Sequence, residues 1–414
     1  MKVIILLKAI RYISLIFPAI AQGATTQPQT FPKLLGMQVG AKIYDNVAYQ
    51  QQMAKLDVVI LGFPVNWSTS TFNIGTAVQA IKSYNPNILV GQYTILDEAY
   101  NNGWNPDIAN TLNANNWWLK NVQVQQVQWT TSFNTWDINF TTWTKANANG
   151  DRYPQWYAKR MYNDFFGPTS GFDIWYFDNV TQNPLDASAD WKQIGTTQFN
   201  TDADIQAAHR AGHAAEWATA KQLAPNLIQM GNSSDNDLSM TQWSGKLGAT
   251  YLEALMGLSW SIENWGGWWQ MMYRYYNTFT NLAPPKIVGF NVWNYPTNYY
   301  FFRYAYASCL MNNGYFSYTD PTAGYSTVVW FDEYDVKLGA AIDAPPVVYS
   351  AQPVKRHFQN GLVIVNPTTS TASIPVEAGY RHFVGKQDPV TNNGAVVNGS
   401  ISMPPKSGIV LIKN

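Results

Sequence analysis

Two acidic residues stand where their carboxyl groups could do chemistry. Asp178 directly follows Ile174-Trp-Tyr-Phe177, four bulky apolar residues in a row, a pattern typical of a strand that is covered on both faces. Glu253 lies inside a second apolar run, residues 248–256, where an unpaired charge is costly and burial raises a carboxyl pKa. Two such groups on opposite sides of an anomeric carbon can break a glycosidic bond, one as nucleophile or base and the other as proton donor.

Each acid also has an ordinary structural interpretation. Asp178 could cap a following helix or bond a loop amide, which is common for aspartate. Glu253 could be a buried acid bonded to a backbone amide or to an arginine. Because both carboxyls interrupt strongly apolar surroundings, we favour a chemical role, with Asp178 and Glu253 as the predicted catalytic pair.

Other residues after predicted strands are candidates for binding substrate. Aromatic rings stack on the flat faces of sugars, while amides and acids take the hydroxyl groups. The alternatives are packing for any single tryptophan, a helix-start arrangement for Asp97 and turn chemistry for Asn232. The predicted substrate-binding residues are Trp67, Tyr93, Asp97, Asn179, Asn232, Trp293 and Asn294.

Motifs for other chemistries are scarce. His209 and His213 are spaced for one helical face with Glu216 beyond them, but the sequence has no His-Glu-x-x-His motif. It also has no glycine-rich phosphate loop and no Gly-x-Ser-x-Gly elbow. The sequence has a single cysteine, Cys309, so no intramolecular disulfide can form. Because Cys309 lies in an apolar run, we expect a buried, unreactive thiol. We therefore expect no metal and no cofactor.

Composition points toward carbohydrate and away from nucleic acid. The net charge is formally zero and 13% of the 414 residues are charged, whereas binding to phosphate backbones needs a concentrated basic surface. Aromatic residues make up 15% of the chain, far more than a packed core alone leads us to expect. The expected partner is a poly- or oligosaccharide, although most of these rings should lie in the core.

The carboxyl groups need a scaffold, and the chain predicts repeated βα units. Eight short apolar runs alternate with helix-like segments, of which residues 205–223 and 268–279 are the clearest. Eight strands are the number that a closed (β/α)8 TIM barrel requires. Residues 114–150 form a polar, tryptophan-rich excursion after the third strand, and such loops are often functional. The predicted strands are 34–39, 58–63, 88–93, 174–177, 227–230, 250–255, 286–292 and 314–317.

The two ends of the chain differ from the barrel. Residues 1–21 read as a signal peptide, with positive charge, an apolar run and a small-x-small site at Ala19-Ile-Ala21, followed by a leader, 22–32. The alternative is an uncleaved anchor, but the apolar run is short for a span of about 20 residues. We expect a secreted, periplasmic or cell-surface protein, with no membrane contact after signal removal. Residues 33–340 should form the barrel, and the segment 321–350, which overlaps its end, has the composition of a linker. Residues 351–414 should form a small C-terminal antiparallel β-sandwich-like domain.

Several motifs resemble a known family. Residues 172–179, 251–253, 310–316, 330–335 and 356–367 are similar to the fifteenth of the hypothetical glycosyl hydrolase families, a resemblance that covers residues 34–414. It implies a (β/α)8 barrel with a C-terminal β-domain, related to α-galactosidase and polygalactosaminidase barrels. In those relatives the acid after strand four is the nucleophile and an acid after strand six is the proton donor, which correspond to Asp178 and Glu253.

The prediction is therefore an exported glycoside hydrolase that cleaves O-glycosidic bonds, with retention of configuration. The rival is a non-catalytic carbohydrate-binding barrel, in which an aromatic cleft persists but the two acids do not face each other. A structural cell-surface protein is the third option, and it predicts no cleft.

Overall fold

The computed structural model describes residues 30–101, 105–167, 170–233, 239–346 and 352–414. The predicted signal peptide and residues 22–29 of the predicted leader lie outside these ranges. Thr30–Phe31, which the leader was predicted to include, form a short strand that pairs antiparallel with Gly339–Ala340. Within the described ranges no helix combines the length and apolar composition needed to cross a bilayer.

Eight parallel strands form one sheet in which each strand pairs with its neighbours in chain order. A parallel bridge between Leu34 and Phe316 joins the last strand to the first, so the sheet curls into a nearly closed barrel. All eight predicted strands are present, and the (β/α)8 fold is confirmed. The strands are β1 (Leu35–Gln38), β2 (Val58–Leu61), β3 (Leu89–Ile95), β4 (Ile174–Asp178), β5 (Ile228–Asn232), β6 (Ala249–Met256), β7 (Ile287–Trp293) and β8 (Tyr315–Thr319).

Helices connect these strands. The helix over Ile262–Asn281 contains a kink at Gly267, whose φ of 75° is not helical. The described helices are α1 (Val47–Met53), α2 (Ile74–Tyr84), α3 (Pro106–Asn115), α4 (Tyr153–Met161), α5 (Ala203–Leu223), α6 (Ile262–Asn281) and α7 (Tyr299–Leu310).

Side chains alternate between the two faces of every strand, and this alternation fixes which residues reach the barrel interior. In β4, Ile174 and Tyr176 pack in the interior with residues of the other strands, while Trp175 and Phe177 pack outward in the layer beneath the helices. Asp178 continues the inward series. Four successive apolar residues are therefore needed because both faces of this strand are covered.

The C-terminal region forms antiparallel sheets after the barrel. Five strands pair in the order β9-β10-β15-β12-β13, and β11 pairs with β14. In β10, Leu362 and Ile364 pack in the core of this domain, whereas Val363 and Val365 join the core of the barrel. The strands are β9 (Val354–Phe358), β10 (Gly361–Asn366), β11 (Ala372–Pro375), β12 (Tyr380–His382), β13 (Val396–Val397), β14 (Ser400–Met403) and β15 (Ser407–Lys413).

The segment between barrel and β-domain is packed along much of its length. Phe331, Tyr334 and Leu338 are buried in the main hydrophobic core, so residues 321–346 do not behave as the linker that the sequence indicated. The aromatic side chains of this segment extend the barrel core toward the C-terminal sheet.

Arg356 of β9 fixes the C-terminal sheet to the barrel. Its guanidinium is buried and donates to the carbonyls of Leu310 at 3.0 Å and Asn312 at 2.8 Å, and to Oδ1 of Asn313 at 2.7 Å. These acceptors lie at the C-terminal end of α7, where helix carbonyls lack partners within the helix. One arginine thus satisfies the helix end and connects two hydrophobic cores.

Replacing Arg356 with alanine should lower the free energy of unfolding by about 3 kcal/mol or more, because buried acceptors lose a charged donor. Its neighbour Lys355 contacts Glu377 at the surface, and Lys355→Ala should cost less than about 1 kcal/mol. Guanidinium unfolding followed by tryptophan fluorescence measures both. Equal effects of the two substitutions would contradict the role given to Arg356.

Candidate active site

Four inward-facing residues meet at the carboxyl ends of β3 to β6. Tyr93, Asp178 and Asn232 each follow an interior residue by two positions along their strands, and Glu253 follows Tyr251 in the same way. Because parallel strands end at one edge of the barrel, these side chains converge at its mouth. This edge is where (β/α)8 barrels carry their chemistry.

Asn232 joins the two acids directly. Its Nδ2 donates to Oδ1 of Asp178 at 2.9 Å and to Oε2 of Glu253 at 3.0 Å. Tyr93 Oη donates to the other oxygen of Asp178 at 2.5 Å, and Tyr325 Oη donates to the other oxygen of Glu253. All four carboxyl oxygens of the pair therefore have a side-chain hydrogen bond.

These contacts limit the separation of the two carboxyl groups. Since one nitrogen bonds both oxygens, Asp178 Oδ1 and Glu253 Oε2 can be no farther apart than about 5.9 Å, the sum of the 2.9 and 3.0 Å contacts. Retaining glycosidases hold their carboxyls about 5–5.5 Å apart, and inverting enzymes about 6.5–9.5 Å apart.

A β-bulge in β6 sets the direction of Glu253. The pairing of β6 with β7 shifts register between Leu252 and Met256, and Ala254 has a φ of 47°, in the left-handed region. The Ala254 N–H donates to Oδ1 of Asn291 on β7 at 2.9 Å, which stabilises this backbone. Bulges of this kind re-aim side chains at barrel rims. Glu253 lies three residues before the last residue of β6, in the part of the strand where the register shifts.

The two carboxyls differ in their electrostatic environment. Burial raises the pKa of both. For Asp178, hydrogen bonds from Tyr93, Asn232 and the backbone N–H of Asn179 oppose that increase. For Glu253, the nearby charge of Asp178 raises the pKa further, while bonds from Tyr325 and Asn232 lower it. Burial therefore favours the protonated form of both carboxyls, and the hydrogen bonds from tyrosine and asparagine oppose part of that effect.

A cavity of about 540 Å³ opens over the pair and is partly built by the predicted excursion. Glu98–Ala99, Gln128–Thr130 and Thr135–Asp137 form a small antiparallel sheet at its side. The lining residues are Val39, Lys42, Tyr93, Ile95, Glu98, Ala99, Tyr100, Asn105, Ile108, Trp129, Phe133, Thr135, Tyr153, Tyr157, Asp178, Asn179, Glu253 and Tyr325.

Three further acids lie in or next to this small antiparallel sheet. Burial raises the pKa of Glu98 to about 7 despite a hydrogen bond from Thr135, and the charge of Asp178 contributes. Burial with the charges of Asp186 and Glu98 raises the pKa of Asp137 to about 8. The pKa of Asp97 is raised well above its usual range, by burial first and then by Glu98, Asp137 and Asp178. This side of the site therefore holds protons near neutral pH.

The structure separates the predicted substrate-binding residues into two sets. Tyr93 and Asn179 line the cavity, and Asn232 bridges the acids beneath it. Asp97 does not line this cavity. Its Oδ1 accepts a hydrogen bond from Asn179 Nδ2 at 3.4 Å, and the residue lines a separate cavity of about 20 Å³.

The remaining three predicted binding residues lie outside the cavity lining. Trp67 packs on Phe63 with ring centroids 5.0 Å apart and lines a different cavity beside α2. Trp293 packs edge-on against Tyr325, with ring centroids 5.2 Å apart. Asn294 accepts from the backbone N–H of Tyr295 at 2.9 Å, which is a turn contact.

Sequence reasoning missed two groups of site residues. Tyr325 belongs to the segment interpreted as a linker, and no local pattern marks it. Trp129 and Phe133 come from the excursion, whose aromatic content was a signal for function but not for particular residues.

The histidine cluster does not form a metal centre. Among the described residues no group of three or more histidine, cysteine, aspartate or glutamate side chains could hold a metal ion. His209, His213 and Glu216 are buried residues of α5. Burial lowers the pKa of His213 to about 3. Cys309 is also buried, and burial raises the pKa of its thiol to about 12.

Comparisons with known proteins bear on the fold. No protein-family model matches the chain, and no curated protein sequence matches it significantly. Among solved structures, Eubacterium rectale Amy13B is similar with a TM-score of 0.50 and 10% identity, covering 94% of this chain and 97% of that one. An Anoxybacillus α-amylase (TM-score 0.48, 9% identity, 90% of each chain) and the glycoside hydrolase domain of PelA from Pseudomonas aeruginosa (0.45, 12%, covering 72% of this chain and 98% of that one) are more distant. At this identity, the likeness to Amy13B supports the barrel fold alone.

The raised pKa values of Asp137 and Glu98 give each of these groups a contribution to stability that falls as pH rises. Between about pH 4 and 8 the folded chain keeps protons on Asp137 and Glu98 that the unfolded chain has released, so each increase favours unfolding. Asp137→Asn removes one such group and should raise the thermal midpoint at pH 8 while changing it little near pH 4. Scanning calorimetry across this range measures the effect.

The matched control is Asp204→Asn, whose side chain is 78% exposed and which should keep the parent's pH dependence. A larger gain in thermal midpoint for Asp137→Asn at pH 4 than at pH 8 would contradict the assignment.

Proposed function

We propose that this protein is a glycoside hydrolase that cleaves O-glycosidic bonds in a poly- or oligosaccharide with retention of configuration. The observation that carries the proposal is the Asn232 amide, which bonds both Asp178 and Glu253 and keeps their nearest oxygens within about 5.9 Å. That separation fits the two-step retaining reaction and leaves too little room for a water between acid and base.

In the first step, an oxygen of ionised Asp178 bonds to the anomeric carbon as the bond to the leaving oxygen breaks. Glu253 donates its proton to that oxygen, so the departing alcohol is neutral. In the second step, Glu253 as a carboxylate takes a proton from water, whose oxygen bonds to the anomeric carbon while the ester to Asp178 breaks. The additional donors to Asp178 and the Asp178 charge beside Glu253 support these roles.

Tyr93 and Tyr325 support the pair from either side. Each hydroxyl bonds the carboxyl oxygen that Asn232 leaves free, which restricts rotation of both groups. We assign them positioning roles. Trp129 and Phe133 at the cavity wall offer aromatic faces for sugar rings, and Asn179 and Glu98 offer polar groups for hydroxyls.

The proposal extends to location and family. The N-terminal signal pattern supports export to a secreted, periplasmic or cell-surface location, and the motif resemblance supports membership of the fifteenth hypothetical glycosyl hydrolase family. The rival, a non-catalytic carbohydrate-binding barrel, requires that the two acids do not face each other. The shared Asn232 contact speaks against it.

Asp178→Asn should lower kcat/KM by at least about a thousandfold on any accepted glycoside, because no nucleophile remains. Glu253→Gln should lose about 10²–10⁴-fold on substrates with poor leaving groups, yet release fluoride rapidly from glycosyl fluorides in the first step, which needs no proton donor, before slow breakdown of the intermediate. A screen of the secreted protein against a panel of polysaccharides identifies the substrate.

Asp204→Asn is the control, since this exposed side chain of α5 lies outside the cavity, and it should retain activity within about tenfold. Hydrolysis by Asp178→Asn near the wild-type rate, with unchanged circular dichroism, would refute the assignment.

Tyr93→Phe tests the support of the nucleophile. Loss of the hydroxyl removes a hydrogen bond from the Asp178 carboxylate, so the Asp178 pKa should rise and the acidic limb of the kcat/KM profile should move to higher pH. We expect kcat/KM to fall about tenfold to a hundredfold.

Tyr251→Phe provides the comparison, because Tyr251 Oη bonds Ser317 deeper in the barrel. It should leave the acidic limb in place. An unshifted limb in Tyr93→Phe would show that Tyr93 does not act through Asp178.

A further inference from the structure

A row of exposed aromatic side chains runs along α6. Trp260 is 50% exposed, Trp265 49%, Trp269 42% and Tyr273 45%, and we call these four residues the aromatic platform. We propose that the aromatic platform is a second carbohydrate-binding site, separate from the cavity, that holds a neutral polysaccharide chain. This inference goes beyond the proposed hydrolysis and does not depend on it.

The aromatic platform places large rings where a surface helix normally carries polar residues. Trp265, Trp269 and Tyr273 are four residues apart and face solvent, whereas Met271, Met272 and Tyr275 of the same helix are buried. A surface helix normally places polar residues on its solvent face, so three large rings there carry an unfavourable exposure without a packing reason. Trp269 and Tyr273 follow the kink at Gly267 and lie about 6 Å apart along the helix axis, whereas Trp265 precedes the kink.

The rings are held in place by local contacts. Trp265 Nε1 donates to the carbonyl of Trp260 at 3.2 Å, which fixes the first two rings relative to each other across the start of α6. Trp268, one residue before Trp269, is buried and donates to Ser308 Oγ at 2.8 Å. The two adjacent tryptophans therefore differ, because Trp268 packs in the core whereas Trp269 is exposed.

More exposed aromatic surface borders the platform. Tyr300 of α7 is 46% exposed and donates to the carbonyl of Pro405, and the adjacent Lys406 pairs with Glu263 of α6 at 2.9 Å. The same turn of the β-domain therefore contacts both α6 and α7.

The charge of this face identifies the class of ligand. Along α6, Glu263 is paired with Lys406, and the other charged residue, Arg274, is buried. Anionic lipid surfaces and nucleic acids are bound through exposed basic groups, which α6 does not present. Aromatic rings beside the amides of Asn264 and Gln270 instead match a neutral polymer with apolar C–H faces and hydroxyl edges.

The platform follows β6 along the chain. Trp260 is four positions after Met256, the last residue of β6, and Glu253 belongs to the same strand. The segment that carries Trp260 therefore starts at the barrel edge at which β6 ends. Binding there would hold a polymer at the protein while its ends or branches enter the cavity.

Affinity electrophoresis tests the platform. Asp178→Asn protein, which should not consume the polymer, is run through native gels containing soluble starch, mixed-linkage β-glucan, galactomannan or xylan. We expect at least one polymer to retard it, and the added changes Trp265→Ala, Trp269→Ala and Tyr273→Ala should weaken that binding at least about tenfold. The matched control replaces two exposed rings elsewhere, Tyr84 and Phe199, with alanine and should be retarded like the parent.

Three results would overturn the proposal: no retardation of the parent by any polymer, equal retardation of the triple variant, or loss of retardation in the control. Sedimentation with phosphatidylcholine vesicles, or dimerisation in size-exclusion chromatography, that the triple variant alone loses would assign the surface to a membrane or to a second copy instead. With Asp178 restored, the triple variant should hydrolyse a small soluble glycoside normally. Failure of the platform and failure of the proposed hydrolysis are therefore measured separately.

Discussion

The side-chain amide of Asn232 lies between two buried carboxyl groups and donates one hydrogen to each. Without it, Asp178 and Glu253 would face each other across a poorly solvated cavity, where burial and mutual repulsion oppose ionisation. The amide favours a charged oxygen on either side but does not decide which acid carries the charge. In the proposed mechanism Asp178 carries the charge, because it has an additional donor in the Asn179 N–H and Glu253 has the Asp178 charge as a neighbour.

The barrel supplies this arrangement through strand order. β5 lies between β4 and β6, so a residue at the end of β5 reaches both neighbours. The alternation of side chains turns Asp178, Asn232 and Glu253 to the same interior, and the bulge after Leu252 sets the height of Glu253. The left-handed Ala254 is a local strain that Asn291 stabilises, and strain of this kind is characteristic of functional sites.

The sequence predicted the parts of the fold that depend on local pattern. All eight strands follow apolar runs, and the position of Asp178 follows from the four residues before it. Tyr325 could not be found this way, because it lies 72 residues after Glu253 in the chain and only tertiary packing brings the two side chains together. Trp67 was expected at the site because it follows β2, but its ring packs on Tyr44 and Phe63 and faces another cavity. Strand ends identify the edge of the barrel, whereas loop packing decides which side chains reach its centre.

The central claim is that Asp178 forms a covalent bond with the sugar while Glu253 transfers the proton. Incubation with 2-deoxy-2-fluoro glycosyl fluorides slows breakdown of a glycosyl-enzyme and allows the labelled peptide to be identified by mass spectrometry. The account predicts one added fluoro-sugar on the peptide that contains Asp178, and products released with retained anomeric configuration. A label on Glu253, or product of inverted configuration without any label, would contradict it.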